Sequence, residues 1–549
     1  MREILVEGHN TTEHDGAVAI LPVNEPDSPI ALASERVSRK KHDGSSVIAY
    51  QYLKDRLSPS GFRFGGKTDL FNPAYTEYQP LHHHLAHAAA AYYPSGFEEA
   101  AVLVIDGQGA YKLPKICASS SIWKGKNQDI SMLEANTEDD IATQSIGHLY
   151  ACVSFYLGFG FLQEGKVMGL AAYGEQSDLL KVFQKYISQE QDGRYRIHPK
   201  FVRALIYLTE GRTFFRLEDS QPSELTQEVM SDIVSSFGQP RQKGAPISER
   251  DKNLAWAVQH TAETLILGLA ERTHTLTGCD NLCYSGGVAL NSVANGKLKE
   301  SGIFKNIFIM PAAGDEGQAV GRLLYRANNE FGIPRAYVME NAYLGPGYDE
   351  AEIVQAIKTT QESIVFTKMN EADLLKTAAS ELANGKIIGW WLGRSEIGPR
   401  ALGHRSILAD PRGDNTRDFI NFTVKHREWF RPLAPSILLE AVPDYFEKAI
   451  ESPYMLNAAS VKPEKRNVIP AVTHIDGTAR LQTVTEKENG RYYRLIKEFG
   501  RITGVPIVLN TSFNDAGEPI VETPFNAINS FLRMNLDSLV LEDFLIKKR

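Results

Sequence analysis

Short apolar runs alternate along the chain with longer amphipathic stretches. Six of these runs are rich in β-branched and aromatic residues, and they predict buried strands at Ala17–Leu21, Ala101–Ile105, Asn281–Tyr284, Asn306–Met310, Lys386–Trp391 and Val505–Leu509. Elsewhere apolar residues recur with a helical period, which predicts helices over Ala86–Tyr93, Leu254–Leu276 and Ala372–Leu382. Strands in alternation with helices indicate an α/β fold with covered sheets and ligand sites at strand ends.

Length and turn-forming residues indicate two domains. The chain has 549 residues, and a globular domain has roughly 150. The stretch Asn341–Asp349 combines two glycines with a proline before a new helical pattern, so we expect domains of residues 1–345 and 346–549. Polar, turn-rich stretches predict surface loops at Gln189–Arg194, Asp219–Ser223 and Gln239–Ser248.

The amino-acid composition and net charge argue against several classes of protein. A hydrophobic fraction of 43% with 23% charged residues excludes a disordered or fibrous chain. A net charge of −8 argues against a general basic surface for nucleic acid or anionic membranes. The four cysteines contain no C-x-x-C pair, which disfavours a disulfide scaffold and structural zinc. With no signal-peptide pattern and no apolar run of membrane-spanning length, we expect a cytoplasmic protein.

A histidine-rich stretch and two aspartates form the first candidate site. His83 and His87 are four residues apart, so on a helix they share one face and can offer two imidazoles to one metal ion. Asp106 ends one predicted strand and Asp315 follows another. A solvated histidine loop and helix-capping or turn aspartates are the alternatives. Two histidines with two aspartates suit iron or manganese better than zinc.

Two glycine-containing stretches suggest phosphate binding. The segment Tyr284–Asn291 runs from a predicted strand through Gly286 and Gly287 into a helical pattern, where the backbone can approach a phosphate. A second stretch contains Lys166, which could meet a phosphate as a point charge. An ordinary turn with a surface lysine is the alternative.

A basic stretch lies beyond the predicted boundary. Residues 394 to 431 contain eight lysines and arginines against five acidic residues. Arginine forks among glycines suit polyphosphate, and Arg480 and the turn Leu509–Asn514 add polar groups that could hold a nucleotide. Aromatic residues do not alternate with the charges as a single-stranded nucleic-acid platform would require. A solvated basic face is the alternative.

The ordered motifs resemble one family over nearly the whole chain. They read HHLAHAAAAYYPSGF, VIDGQG, EGKVMGLAAYG, SGGVALNSVAN, AAGDEG, GRSEIGPRALGHRSILADPR, KHREWFRPLAPS, DGTARLQTV and LNTSFNDAGEPIVETP. This order is similar to that of the O-carbamoyltransferases of the nodulation-factor and antibiotic-tailoring type. The resemblance implies an N-terminal domain of the actin, sugar-kinase and Hsp70 type, similar to the tRNA threonylcarbamoyl-transfer subunit, and a C-terminal YrdC-like domain.

The resemblance also implies a reaction. The C-terminal domain would convert carbamoyl phosphate and Mg-ATP into carbamoyl adenylate and pyrophosphate. The N-terminal domain would hold iron(II), with manganese as the alternative, and transfer the carbamoyl group to a hydroxyl of a small-molecule acceptor. Neither a nucleic acid nor a membrane is expected as a partner.

Site residues follow from the resemblance motif by motif. His83, His87, Asp106 and Asp315 match iron ligands, and Lys166, Gly286, Gly287 and Asn291 match the nucleotide-holding part of the N-terminal domain. Six positions match groups that hold ATP and carbamoyl phosphate: Arg400, Lys425, Arg431, Arg480, Asn510 and Ser512. Lys425 and Arg431 are also expected to be catalytic. His14 matches a histidine near the acceptor and is the candidate general base.

Three alternatives stay open on the sequence. A tRNA acceptor would favour a basic surface, and carbamoylation of a protein cysteine in hydrogenase maturation goes with C-x-x-C zinc motifs that this sequence lacks. A non-catalytic ATP-binding module of the Hsp70 type would leave the histidine and arginine clusters without a role. Three places depart from the family pattern. Ser34 stands in place of a second glutamate, His404 stands where asparagine is common, and Gly8–Thr12 differs from the usual glycine-rich opening.

Overall fold

The computed structural model describes residues 2–10, 14–22, 27–57, 62–63, 83–112, 116–138, 144–209, 221–448 and 451–549. The chain forms two compact units. The first unit comprises Met1–Asp69, Asp315–Phe331 and Ala336–Arg549, and the second comprises Leu70–Gly314 and Gly332–Arg335. The N-terminal residues therefore belong to the same unit as the C-terminal residues. The functional division at residue 345 stays a prediction.

A small sheet forms the N-terminal part of the first unit. Its strands are β1 (Arg2–Asn10), β2 (Ala17–Pro22), β3 (Ile30–Ala33) and β4 (Phe62–Arg63). They lie in the order β3-β2-β1-β4, antiparallel except for the parallel β1–β4 pair. The helix Gln318–Tyr325 packs on β1 and β2.

The second unit is built around a mixed sheet in the order β11-β10-β5-β6-β7. Its strands are β5 (Glu99–Lys112), β6 (Ile116–Lys126), β7 (Asp129–Glu138), β10 (Asn281–Ser285) and β11 (Asn306–Ile309), and β8 (Ile187–Gln189) and β9 (Tyr195–Ile197) form a separate hairpin. β5, β10 and β11 are parallel, whereas β6 and β7 pair antiparallel. The parallel part carries the candidate site residues.

A larger sheet forms the rest of the first unit. Its nine described strands are β12 (Ile364–Lys368), β13 (Ile388–Trp391), β14 (Arg405–Ala409), β15 (Ala434–Leu438), β16 (Asn457–Ser460), β17 (Thr478–Val484), β18 (Ile507–Ser512), β19 (Ser538–Leu541) and β20 (Phe544–Lys548). They lie in the order β12-β20-β19-β13-β14-β18-β15-β17-β16. Trp390 and Trp391 are fully buried at its centre.

Helices cover the sheets in both units. Those of the first unit are Ser34–Ser38, Ser46–Leu57, Gln318–Tyr325, Glu350–Thr360, Glu371–Ala383, Thr416–Phe419, Val442–Tyr445, Gly490–Thr503 and Pro524–Arg533. Those of the second are His83–Tyr92, Ile146–Tyr156, Glu164–Ala171, Leu179–Tyr186, Pro199–Tyr207, Glu224–Phe237, Glu249–Thr277 and Ser292–Ser301. None of the described helices is long and apolar enough to cross a membrane.

The α/β prediction is confirmed, and all six predicted strands and three predicted helices are present with shifted ends. The longest helix begins at a capping box, in which Ser248 and Asp251 bond each other's backbone, and ends at the left-handed Gly278. Of the predicted loops, residues 219–220 lie outside the described residues, and the rest of the three stretches is loop apart from Gln189, which ends β8. The six predicted runs correspond to β2, β5, β10, β11, β13 and β18, and the apolar pattern missed the other described strands.

Candidate functional site

The two predicted histidine ligands meet on one helix of the second unit. The helix begins at His83, so the spacing of four residues brings His83 and His87 onto one face, with their Nε2 atoms 3.2 Å apart. The Oγ of Ser285 lies 3.3 Å from Nδ1 of His87 and fixes the ring. Two imidazole nitrogens at this distance can share a cation.

His84, between these two, has a different role. Its Nδ1 lies 2.7 Å from Ser121 Oγ and its Nε2 lies 2.9 Å from the carbonyl oxygen of Ala118. Both ring nitrogens are therefore held by β6, and burial lowers the pKa of His84 to about 3. His84 anchors the helix to the sheet.

Asp106 does not end a strand, contrary to the sequence prediction. β5 continues to Lys112, and the pairing with β6 shifts register between Ile105 and Gly109. This bulge directs the carboxylate to the histidines: Oδ2 lies 2.8 Å from Nε2 of His83. Burial acts to raise the pKa of Asp106, but the hydrogen bond and charge of His83 hold it well below its usual range.

Asp315 directly follows Gly314, the last residue of the main segment of the second unit. One ligand atom each of His83, His87 and Asp106 lies within 4.8 Å of the others. Asp315 begins a segment of the first unit, so its part in the ligand set stays a prediction. The predicted set of two imidazoles and two carboxylates is of a kind that fits iron(II) or manganese(II).

The glycine turn after β10 lies against the same cluster. Gly286 has φ of 93°, and a Cβ there would meet the carbonyl oxygen of Ile105 at 2.2 Å, so only glycine fits. The nitrogen of Gly287 donates to Oδ1 of Asp106 at 2.9 Å. Asn291 caps the following helix by accepting from the nitrogen of Ala294 at 3.1 Å.

Lys166 lies in a helix rather than in a turn. The helix Glu164–Ala171 contains it, and its Nζ lies over the ring of Phe159, 5.8 Å from the centroid. Two residues on, Met168 accepts a hydrogen bond from Ser292, which begins the helix after the glycine turn. This helix therefore packs beside the predicted nucleotide loop.

In the first unit, the structure gathers Arg400, Arg427, Arg431 and Arg480. Burial and then the charges of the other three arginines hold the pKa of Arg480 well below its usual range, and burial followed by Arg431 lowers the pKa of Arg427 to about 9. Nη2 of Arg427 and Nε of Arg480 are buried without a hydrogen-bond partner among the described residues. Crowded cations with unused donors are the groups that a polyanion would need.

Lys425 borders this cluster. Its ammonium group donates to the carbonyl oxygen of Ser512 at 2.7 Å and to Oδ1 of Asn514 at 2.8 Å. Burial, then the charges of Arg427 and Arg431, hold its pKa well below the usual range. The turn after β18 therefore positions the lysine.

Asn510 is held inside the same sheet. Its Nδ2 donates to the carbonyl oxygen of Ala401 at 3.1 Å and to Oε1 of Gln482 at 2.9 Å. Ala401 follows Arg400, so Asn510 supports the loop that carries this arginine.

Sequence reasoning missed His474. Its Nε2 is buried without a partner among the residues described, and burial lowers its pKa to about 4. Arg480 is among the charges that act on His474. Arg427 belongs to the basic stretch predicted to suit polyphosphate, whereas His474 has no signal beyond its proximity to Arg480 in sequence.

His14, the predicted general base, lies in the first unit beside Asp15. Nδ1 of His14 lies 3.0 Å from one carboxylate oxygen of Asp15, and Nδ1 of His42 lies 2.7 Å from the other. Burial would raise the pKa of Asp15, but these two histidines lower it. The carboxylate of Asp15 therefore contacts both histidine rings, and the role of His14 as a general base stays a prediction.

Two family models match the chain. The carbamoyltransferase N-terminus matches residues 69–324, and the carbamoyltransferase C-terminus matches residues 379–548. Together they cover most of the sequence.

Curated relatives agree with these matches. Nodulation protein NolNO of Sinorhizobium fredii is 40% identical over 476 residues, which are 85% of this chain and 63% of that protein. Nodulation protein NolO of Bradyrhizobium diazoefficiens is 37% identical over 473 residues, 85% of this chain and 79% of that protein. The solved structure of full-length HypF in its phosphate- and nucleotide-bound form aligns with a TM-score of 0.31 and 14% identity, covering 60% of this chain and 56% of that one.

Proposed function

The chain belongs to the carbamoyltransferase family, and on that premise we propose that it uses ATP and carbamoyl phosphate to carbamoylate a hydroxyl group of a small molecule. The enzyme class is carbamoyltransferase. The use of ATP, the division into two reaction steps and the acceptor class are the proposed parts.

The observation that carries the activation step is the arginine cluster. Burial, and then the charges of Arg400, Arg427 and Arg431, lower the pKa of Arg480. Two buried donors of the cluster have no partner within the described structure. Such a site is stabilised when phosphate oxygens accept bidentate hydrogen bonds. ATP and carbamoyl phosphate together bring the required negative charge.

In this activation step, water hydrolyses carbamoyl phosphate to carbamate and phosphate. A carbamate oxygen then attacks the α-phosphorus of ATP, so that a P–O bond forms and pyrophosphate leaves. Arg400, Arg431 and Arg480 would hold the phosphates. Lys425, positioned by Ser512, would stabilise the negative charge that develops on the pyrophosphate leaving group.

In the transfer step, the acceptor oxygen attacks the carbamoyl carbon and AMP leaves. His14, oriented by Asp15, would accept the hydroxyl proton. The turn at Gly286 and Gly287 would bind the leaving phosphate through backbone N–H groups. His83, His87, Asp106 and Asp315 would hold a divalent metal ion, which supplies Lewis acidity toward the carbamoyl oxygen.

The direct test is release of pyrophosphate by the full-length chain. With ATP, carbamoyl phosphate and ferrous iron we expect pyrophosphate and carbamoyl adenylate, and substitution Arg480→Gln should suppress both. Arg501→Gln is the matched control, because Arg501 is exposed and pairs with Glu498. Absence of pyrophosphate from the unsubstituted chain would refute the proposal.

The acceptor class needs a separate experiment. The activated enzyme is incubated with hydroxyl-bearing sugars and natural products, and a mass increase of one carbamoyl group identifies the acceptor. Incorporation of labelled carbamoyl into tRNA or protein instead would exclude a small-molecule acceptor.

A further inference from the structure

Asp15, Glu35 and His42 form a second cluster of metal-ligating side chains, in the first unit. One ligand atom from each lies within 4.8 Å of the others. The set contains two carboxylates and one imidazole, which suits a divalent ion of the manganese, iron or zinc type. None of these three residues has a ligand-binding role in the reaction proposed above.

Two turns hold the cluster rigidly. Asp15 and His42 both have left-handed backbone conformations, with φ of 57° and 58°. The nitrogen of Gly16 donates to the carbonyl oxygen of Asp43 at 2.7 Å, and a Cβ on Gly16 would lie 2.4 Å from the carbonyl oxygen of Gly44. The turns therefore meet backbone to backbone, and unfavourable φ values of this kind concentrate at functional sites.

The hydrogen bonds of the cluster show which of its atoms face one another. Nδ1 of His42 is bound to Asp15, while its Nε2 is buried and has no hydrogen-bond partner among the residues that the structure describes. Nδ1 is therefore the ring nitrogen that faces the carboxylate, and an ion shared with Asp15 would replace the proton between them. One oxygen of Glu35 accepts from the backbone nitrogen of His42 at 3.0 Å, which leaves the second oxygen as a ligand.

The surrounding charges favour a cation. The neighbouring cation Arg36 donates to the carbonyl oxygens of Glu396 and Gly398 rather than to Asp15 or Glu35. Two carboxylates and an imidazole so close together are stabilised by a divalent ion.

We propose that Asp15, Glu35 and His42 form a second divalent-cation site, distinct from the His83 cluster. The proposal needs neither ATP nor an acceptor, so it stands or falls independently of the proposed reaction. An ion here would also neutralise the carboxylate that orients His14.

The test is a titration of the full-length chain with Co²⁺, whose visible absorption reports nitrogen and oxygen ligands. The double substitution His83→Ala and His87→Ala removes both imidazoles of the first cluster. We expect the unsubstituted chain to bind two equivalents and the double variant to retain one. A double variant that binds no Co²⁺ would overturn the proposal without any change to the second cluster.

Adding Glu35→Gln to the double variant locates the remaining ion. Glutamine has the same shape and can still accept from His42, so folding should be preserved, while affinity for Co²⁺ should fall at least about tenfold. Asp27→Asn is the control, because Asp27 is exposed and its substitution removes the same charge as Glu35→Gln. Equal weakening by both substitutions, or none by Glu35→Gln, would contradict the assignment.

Discussion

The backbone nitrogen of Gly287 donates a 2.9 Å hydrogen bond to Oδ1 of Asp106, whose Oδ2 lies 2.8 Å from Nε2 of His83. One carboxylate thus fixes both the glycine turn and a predicted metal ligand. A conformational change in the turn would therefore move the carboxylate as well, so nucleotide binding and metal binding in the second unit are expected to affect each other.

The substitution Asp106→Asn separates these two functions. Asparagine can still accept from Gly287 through its carbonyl oxygen, but it loses the negative charge that faces His83. We expect the affinity for iron to fall at least about tenfold and the rate of acceptor carbamoylation to fall with it. Pyrophosphate release should be retained. Metal analysis and the two product assays check this.

Asp178→Asn is the control, because Asp178 is exposed in the same unit and pairs with Lys181. Equal losses of pyrophosphate release and acceptor transfer in Asp106→Asn would show that the two steps are assigned to the wrong groups.

Gly286→Ala should destabilise the second unit through a backbone clash. Its Cβ would approach the carbonyl oxygen of Ile105 to 2.2 Å, in addition to the unfavourable φ of 93°. Gly302 also has a positive φ, of 70°, but a Cβ there meets nothing within 4 Å. We expect Gly302→Ala to cost about 1–2 kcal/mol and Gly286→Ala to cost clearly more, measured as the unfolding midpoint in urea. Equal shifts would show that the turn relaxes.

Arg427→Gln should weaken the activation step. The substitution removes a buried cation whose Nη2 has no partner in the described structure. A hydrogen bond to a charged group is worth roughly 1.5–3 kcal/mol, so pyrophosphate release at low substrate concentrations should fall roughly 10- to 150-fold.

Arg412→Gln serves as the comparison, since Arg412 already pairs with Asp410. If both substitutions reduce pyrophosphate release equally, the effect comes from net charge rather than from the cluster.

His404 should make the first unit less stable at acidic pH. Its ring stacks on Tyr343 with centroids 3.6 Å apart, Nδ1 donates to the carbonyl oxygen of Arg394, and burial lowers its pKa from 6.5 to about 4. Below pH 6.5 the unfolded chain takes up a proton that the folded chain does not, so this stabilisation is complete above pH 6.5 and is lost as the pH falls toward 4.

The size of the effect is at most about 1.4 kcal/mol per pH unit in this window. His404→Asn removes the titrating group, and its free energy of unfolding should change less between pH 7 and about pH 5 than that of the unsubstituted chain. Denaturant unfolding at the two pH values measures the difference. Parallel pH profiles would show that the ring is not buried as described.

Local spacing predicted the parts of the site that lie close in sequence. His83 and His87 are four residues apart on a helix, and the glycine turn follows β10 directly, so sequence alone indicated both. The contact between Asp15 and His42 joins two turns 27 residues apart, and no periodic pattern signals a contact between turns. The bulge at Asp106 escaped prediction for a related reason, because an apolar run does not reveal where a ladder shifts register.

The first unit consists of segments that lie far apart in the sequence, and this affects how the protein folds during synthesis. β2 ends at Pro22, and the helix that packs on it begins at Gln318, about 300 residues later. At roughly 5–20 residues per second, a ribosome needs roughly 15–60 s to deliver that helix. During this interval the buried apolar residues of β2 lack this packing partner. The second unit can already fold, because its main segment ends at Gly314, before that helix. The nascent chain is therefore expected to depend on chaperones at its N-terminus rather than in its centre.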